Sequence, residues 1–115
     1  MTSKMPRSIK VGPHHYSVRI DDVAVDKNVV ADRSGGDQDA FFDAQKREIV
    51  LREKNLGAST VIHEAFHALF EMTGMDARFD SDKPPTEEEV IRSIEYTLLA
   101  LIRENAPLMA YLVAP

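Results

Sequence analysis

Apolar and polar residues alternate from Ser8 to Asp21 on both sides of Gly12-Pro13: Ile9 and Val11 precede the pair, and Tyr16, Val18 and Ile20 follow it. A period of two marks a half-buried strand, and Gly-Pro interrupts it as a turn or bulge. Asp22 to Asp32 holds several valines without clean alternation, which leaves it between a short strand and a loop. Ser34-Gly35-Gly36-Asp37 has the composition of a turn. Beyond it, Ala40-Phe41-Phe42 and Glu48-Ile49-Val50-Leu51 are expected to pair as an antiparallel hairpin around Asp43 to Arg47. The first half of the chain therefore reads as a small sheet.

The period changes at Ser59-Thr60. Either residue can N-cap a helix running to about Thr73, with Gly74 as its stop. Val61, Ile62, Ala65, Phe66, Leu69, Phe70 and Met72 make nearly every face of this helix apolar, the pattern of a helix inside the molecule. A second helix is predicted after Pro84-Pro85, where Thr86 and Glu89 have capping-box spacing, and it continues to about Asn105 ahead of Pro107. Val90, Ile91, Ile94, Leu98, Leu101 and Ile102 form its core stripe. Asp76 to Pro85, rich in Asp, Ser and Pro, reads as a surface connection between the two helices. The apolar tail Leu108 to Pro115 fits an extra turn, a groove cover or a subunit contact.

Length and composition narrow the class. At 115 residues the chain is one domain's worth, 1–115, with an ordinary globular composition of 43% hydrophobic and 29% charged residues. No apolar run approaches the ~20 residues of a membrane span, and Met1 to Lys10 lacks a signal-like core, so a cytoplasmic protein without a membrane partner is expected. Fourteen basic against 19 acidic residues give a net charge of -5, which argues against nucleic acid as a partner. With no cysteine, disulfides and zinc-finger sites are excluded, and any zinc must be held by His and carboxylate.

Within the apolar helix stands His63-Glu64-Ala65-Phe66-His67, an HExxH pattern. Residues four apart on a helix have Cβ atoms about 5–6 Å apart, so two imidazoles can converge on one ion with Zn–N bonds of about 2.0–2.1 Å. Glu64, one step round the helix, is placed to take a proton from a water that the zinc acidifies. Such a pattern arises by chance in roughly one in a hundred chains of this composition, so context must carry the reading. A mid-helix His-Glu pair among Val61, Ile62 and Phe66 would bury polar groups without partners, at about 1–3 kcal/mol each, unless a metal satisfies them.

A third ligand is needed. The continuation HExxHxxGxxH fails, since Phe70 stands in place of Gly and Thr73 in place of His, and no histidine follows His67. His14 and His15 read as surface or turn residues of the strand region. A downstream carboxylate remains. Glu87, Glu88 and Glu89 occupy the first turn of the second helix, where acids also complement the helix dipole. Glu88 lies three residues before Ile91 and Glu87 three before Val90, so either continues the core-facing stripe. Glu95 is a weaker candidate, and the loop residues Asp76, Asp80 and Asp82 are weaker still.

The hairpin ending in Glu48-Ile49-Val50-Leu51, the Thr60-Val61-Ile62-His63-Glu64-Ala65-Phe66-His67-Ala68-Leu69 segment and an acidic helix start closing with Arg103-Glu104-Asn105-Ala106-Pro107 together resemble the small single-domain gluzincins. They are similar in particular to the ImmA/IrrE-like metallopeptidases and to compact HExxH proteins of phages and prophages. The likeness spans about Ile9 to Pro107, and HEAFH is its specific element. It implies an α+β fold in which a small twisted antiparallel sheet packs on an active-site helix, with the third zinc ligand on the next long helix. Family members tend to show Glu, then a small apolar residue three positions on, then Asn or Asp. On that pattern Glu88, followed by Ile91, is the implied ligand, although Arg92 replaces the polar residue that would orient a ligand histidine. The resemblance further implies that a peptide adds as a strand near Glu48 to Arg52, and leaves Tyr96 and Tyr111 as open choices for a transition-state stabiliser.

The resulting expectation is a zinc metallopeptidase acting on a protein or peptide substrate, with His63, His67 and Glu88 on the metal and Glu64 as general base. Its alternative is a zinc-stabilised interaction or structural module without hydrolytic activity, which a fourth protein ligand would mark.

Overall fold

The alternation around Gly12-Pro13 folds as a hairpin. In the computed structural model, which describes residues 5–32, 40–80 and 82–115, strands β1 (Ser8–Val11) and β2 (His14–Ile20) pair antiparallel with Ile9 opposite Tyr16. Gly12 turns the chain at φ 58°, and a Cβ there would lie 2.6 Å from Met72 Cε. The second predicted hairpin also forms, from β3 (Ala40–Asp43) and β4 (Glu48–Leu51), with Phe42 opposite Ile49. The turn signal at Ser34 to Asp37 lies outside the described residues.

The two hairpins join through a parallel pair, β2 with β4, Val18 opposite Ile49, in the order β1-β2-β4-β3. The sheet is therefore mixed, which corrects the antiparallel sheet expected above. Parallel neighbours need a crossover connection. Here the chain supplies it with helix α1 (Asp22–Asp32) and β3, so the undecided segment is helical. Asp21 caps α1: its Oδ1 accepts the Ala24 N–H at 3.0 Å and its carbonyl accepts from Val25 at 3.2 Å. The same order makes β4 an interior strand. Among the described residues no free edge exists along Glu48–Leu51 for a peptide to join, and that expectation is also corrected; the edge strands of the described sheet are β1 and β3.

The sheet's alternation sorts two faces. Ile49 and Leu51, both fully buried, cluster with Ala40 and pack against Ile9, Val18, Phe42 and Val61. Val61 belongs to helix α2 (Ala58–Thr73), so this face meets α2. Val50 points to the opposite side, where α1 lies against β4 with Val25 fully buried. Helix α2 starts at the N-cap Gly57, whose carbonyl accepts from Thr60 and Val61, so neither Ser59 nor Thr60 caps it. Gly74 ends it in the left-handed region at φ 79°, as its position predicted. The helix is less enclosed than its apolar content suggested. Only Glu64 and Ala68 are buried, and Phe66, Phe70 and Phe79 form an aromatic row with centroids 6.1 and 5.6 Å apart.

After a 3-10 turn (Met75–Arg78) comes α3 (Glu87–Glu104). The predicted capping box is present: Thr86 Oγ1 accepts the Glu89 N–H at 3.2 Å and donates to Glu89 Oε1 at 3.3 Å. The tail forms a further short helix, α4 (Ala106–Val113), which follows α3 through Asn105 and buries none of its residues. The architecture is thus α+β, and among the described residues no helix is long and apolar enough to cross a membrane.

Candidate metal centre

One turn apart on α2, His63 and His67 project toward α3 with ring centroids 5.1 Å apart, nearly edge to face. Nε2 of His63 lies 3.0 Å, and Nε2 of His67 2.5 Å, from the same oxygen, Glu88 Oε1. His63, His67 and Glu88 each offer one ligand atom, and these atoms lie within 4.8 Å of one another. The Thr86 cap starts α3 so that Glu88 falls in its first turn, opposite the histidines.

The other ring nitrogens also face carboxylates. Nδ1 of His63 lies 2.6 Å from Glu95 Oε2, and Nδ1 of His67 lies 3.2 Å from Glu87 Oε1. A carboxylate on Nδ1 keeps a proton there, which leaves Nε2 to present its lone pair. Both imidazoles are therefore oriented with Nε2 toward Glu88. Arg92 reaches the second oxygen of Glu88 at 3.5 Å.

Such a density of acids raises the histidines' proton affinity. The hydrogen bond that His63 donates to Glu88, working against burial and helped by Glu95, pushes His63 up to about 9. At His67 burial pulls downward, but the Glu88 hydrogen bond and the charges of Glu64 and Glu88 outweigh it, and the net direction is up. Hydrogen bonds from His63 and His67 hold Glu88 far below the ordinary carboxylate range. Glu64 differs from the other three acids. It is 6% exposed, its side chain makes no hydrogen bond with any described residue, and burial pushes its carboxyl up to about 7 against the opposing pull of His67 and His63.

This donor set fits a zinc ion. Two imidazole nitrogens and one carboxylate oxygen are a familiar ligand combination for zinc, and three electron-rich atoms turned toward one point repel one another until a cation or protons intervene. The structure thus brings together His63, His67 and Glu88 and sets Glu64 beside them. Glu87 and Glu95, weighed as ligands, serve instead as partners of the Nδ1 atoms. That role escaped the sequence reading, although Glu95 is two turns from Glu88 inside the Ile91, Ile94, Leu98 stripe and is 8% exposed.

The remaining candidates lie elsewhere. Asp76 and Asp82 are exposed, and Asp80 bridges to Lys83. His15 is exposed, while His14 joins a separate network in which its Nδ1 meets the Tyr16 hydroxyl at 3.3 Å and Tyr16 donates to Glu71 at 3.2 Å. Tyr96 and Tyr111 are 70% and 76% exposed, and neither hydroxyl hydrogen-bonds to a described residue. No protein-family model, curated protein or solved structure matches the chain.

Proposed function

We propose that this chain is a zinc-dependent metallopeptidase of the small gluzincin kind, similar to the ImmA/IrrE-like enzymes. His63 and His67, through Nε2, and Glu88, through Oε1, would hold the ion, and Glu64 is the general base. The observation that carries the reading is the division of labour among four acids. Glu88 faces both Nε2 atoms, Glu95 and Glu87 hold the two Nδ1 atoms, and Glu64 alone is buried without a hydrogen-bond partner among the described residues.

When bound, zinc supplies a Lewis acid that lowers the pKa of a water and polarises a carbonyl. Glu64 receives the proton as the water oxygen bonds to the peptide carbonyl carbon. It returns that proton to the departing amine as the C–N bond breaks. Burial raises the proton affinity of the Glu64 carboxyl above that of an exposed glutamate, which favours its taking the proton. Glu95 and Glu87 keep the imidazoles turned throughout. A domain of this size has little wall for a deep cleft, which favours one protein or peptide partner as substrate over proteins at large.

Glu64→Gln is the test. The variant should keep one zinc per chain and an unchanged melting temperature while cleavage disappears, and an equally active variant would refute the mechanism. The alternative of a closed structural zinc site needs a fourth protein ligand. Among the described residues the cluster offers three, with Glu87 and Glu95 engaged on Nδ1, which supports the open, hydrolytic reading.

A further inference from the structure

Helices α2 and α3 run antiparallel: His67 faces Glu87 and Glu88, while His63 faces Glu88 and Glu95. Arg92 stands between Glu88 and Glu95 in the chain, which puts it level with His63. Ile91 and Glu95 are buried and mark the side of α3 that meets the rest of the molecule. Arg92 lies about 100° from Ile91 round the helix axis and about 40° beyond Glu88, so it continues from Glu88 toward solvent. The side chains of His63, His67, Glu87 and Glu95 are between 11% and 24% exposed, against 47% for Glu88 and 73% for Arg92. The cluster therefore opens to solvent along Glu88, and Arg92 borders the opening.

We infer that Arg92 is a specificity-determining residue that receives a carboxylate of the peptide, from an Asp or Glu side chain or a free C-terminus, beside the metal cluster; the inference rests on the peptidase reading above. The acids at this end of α3 are already engaged. Glu87, Glu88 and Glu95 meet the two histidines, and Glu89 meets the Thr86 cap. Arg92 is committed far less. Its nearest acid is Glu88, with Nε 3.5 Å from Oε2, and its guanidinium makes no hydrogen bond with any described residue. Arg19, by contrast, is held by both Asp21 and Glu48. A planar guanidinium with free N–H groups matches the two oxygens of a carboxylate, which a neutral side chain cannot replace. Glu88 does not monopolise it, because a carboxylate that shares its charge with a cation attracts a guanidinium less. The surrounding acids sharpen the choice of register. A peptide carboxylate is repelled by Glu87, Glu88, Glu89 and Glu95 and attracted at Arg92, so the position of that charge along the peptide decides which bond lies at the metal.

The test measures binding apart from turnover. Zinc-loaded Glu64→Gln chain is titrated into fluorescein-labelled, C-terminally amidated peptides of Ala, Ser and Gln in which a single Glu or a single Lys is walked from end to end. A further peptide has no charged side chain and a free C-terminus. Fluorescence anisotropy should show one register at which Glu binds at least about tenfold more tightly than Gln, or the same gain for the free C-terminus, which tells the two carboxylates apart. Arg92→Gln in the same background should abolish the gain with zinc still at one per chain, and Arg92→Glu should transfer it to a Lys peptide. At 73% exposed, Arg92 can be replaced without disturbing the fold. Equal binding of Glu, Gln and Lys peptides, a gain that survives Arg92→Gln, or no binding of any peptide overturns the inference. Cleavage of the same peptides by the wild type is read separately. Arg92-dependent binding without cleavage refutes the peptidase reading and leaves the carboxylate site, whereas cleavage indifferent to Glu, Gln and Lys refutes the carboxylate site alone.

Discussion

Glu95 Oε2 lies 2.6 Å from His63 Nδ1, and the carboxylate that makes this contact is almost wholly buried on α3, seven residues beyond Glu88. One helix therefore both completes the candidate ligand set and fixes how a ligand imidazole from α2 is turned. Removing such a partner typically costs 10–100-fold in metal affinity. Glu95→Ala should weaken zinc binding by about that factor in a competitive chelator titration. Glu95→Gln, which retains an acceptor oxygen, should fall between the two. Equal affinity in all three proteins would remove Glu95 from any orienting role.

The cap of α3 offers a separate handle on the same cluster. Thr86 Oγ1 accepts the Glu89 N–H, and Glu87 and Glu88 lie in the turn it closes. Thr86→Ala should destabilise the fold by about 1 kcal/mol, the usual cost of losing an N-cap. Because fraying of that turn also loosens Glu88, zinc affinity should fall in the same variant. Thr86→Ser should preserve both. Loss of stability in the alanine variant with zinc affinity unchanged would separate the cap from the site.

Near the C-terminal end of α2, Gly12 approaches Met72 so closely that a Cβ would come within 2.6 Å of its terminal methyl, and Gly12 also sits at φ 58°. The left-handed conformation alone costs a residue with a Cβ roughly 1–2 kcal/mol. Gly12→Ala should therefore lower stability by at least about that much. Pairing it with Met72→Ala should recover only the steric part, because the backbone penalty stays. Full recovery in a double-mutant cycle of denaturant melts would show that φ at this turn carries no strain.

How far these features were legible follows from the range over which each is determined. Both helices of the cluster were readable because their signals are local: the Thr86–Glu89 capping box, Gly74 as a stop, and apolar residues at helical spacing. Helix α1 was hidden because its valines favour strands, and its one clear start signal, the Asp21 side chain, sits inside the strand pattern of β2. The parallel pairing of β2 with β4 depends on where a crossover returns, which alternation alone does not encode. At the cluster, HExxH and an acid in the next helix start are visible in the sequence, but the family pattern places the residue that orients a ligand histidine where Arg92 stands, and so shows none. The fold supplies such residues in Glu95 and Glu87, a choice set by the angle at which two helices meet.

The response to pH without metal follows from the same groups. Glu64 is raised from 4.5 to about 7, so the stability linked to its protonated form is complete below pH 4.5 and disappears as pH rises through 7. His63 is raised from 6.5 to about 9, so its contribution is complete below 6.5 and disappears as pH rises through 9. Glu88 is depressed, and its contribution, present above 4.5, is lost as pH falls below that value toward its folded pKa. The Glu88–His63 contact underlies both of the last two shifts and counts once. With chelator present, the melting temperature should therefore peak between about pH 4.5 and 6.5 and decline toward pH 9. Zinc competes with the very protons that stabilise the metal-free cluster, so the gain in melting temperature on adding equimolar zinc should grow across that range. A metal-free protein as stable at pH 9 as at pH 6, with zinc adding the same increment at both, would mean that His63 and Glu64 lose no favourable interaction on deprotonation and that the cluster is not electrostatically primed for a cation.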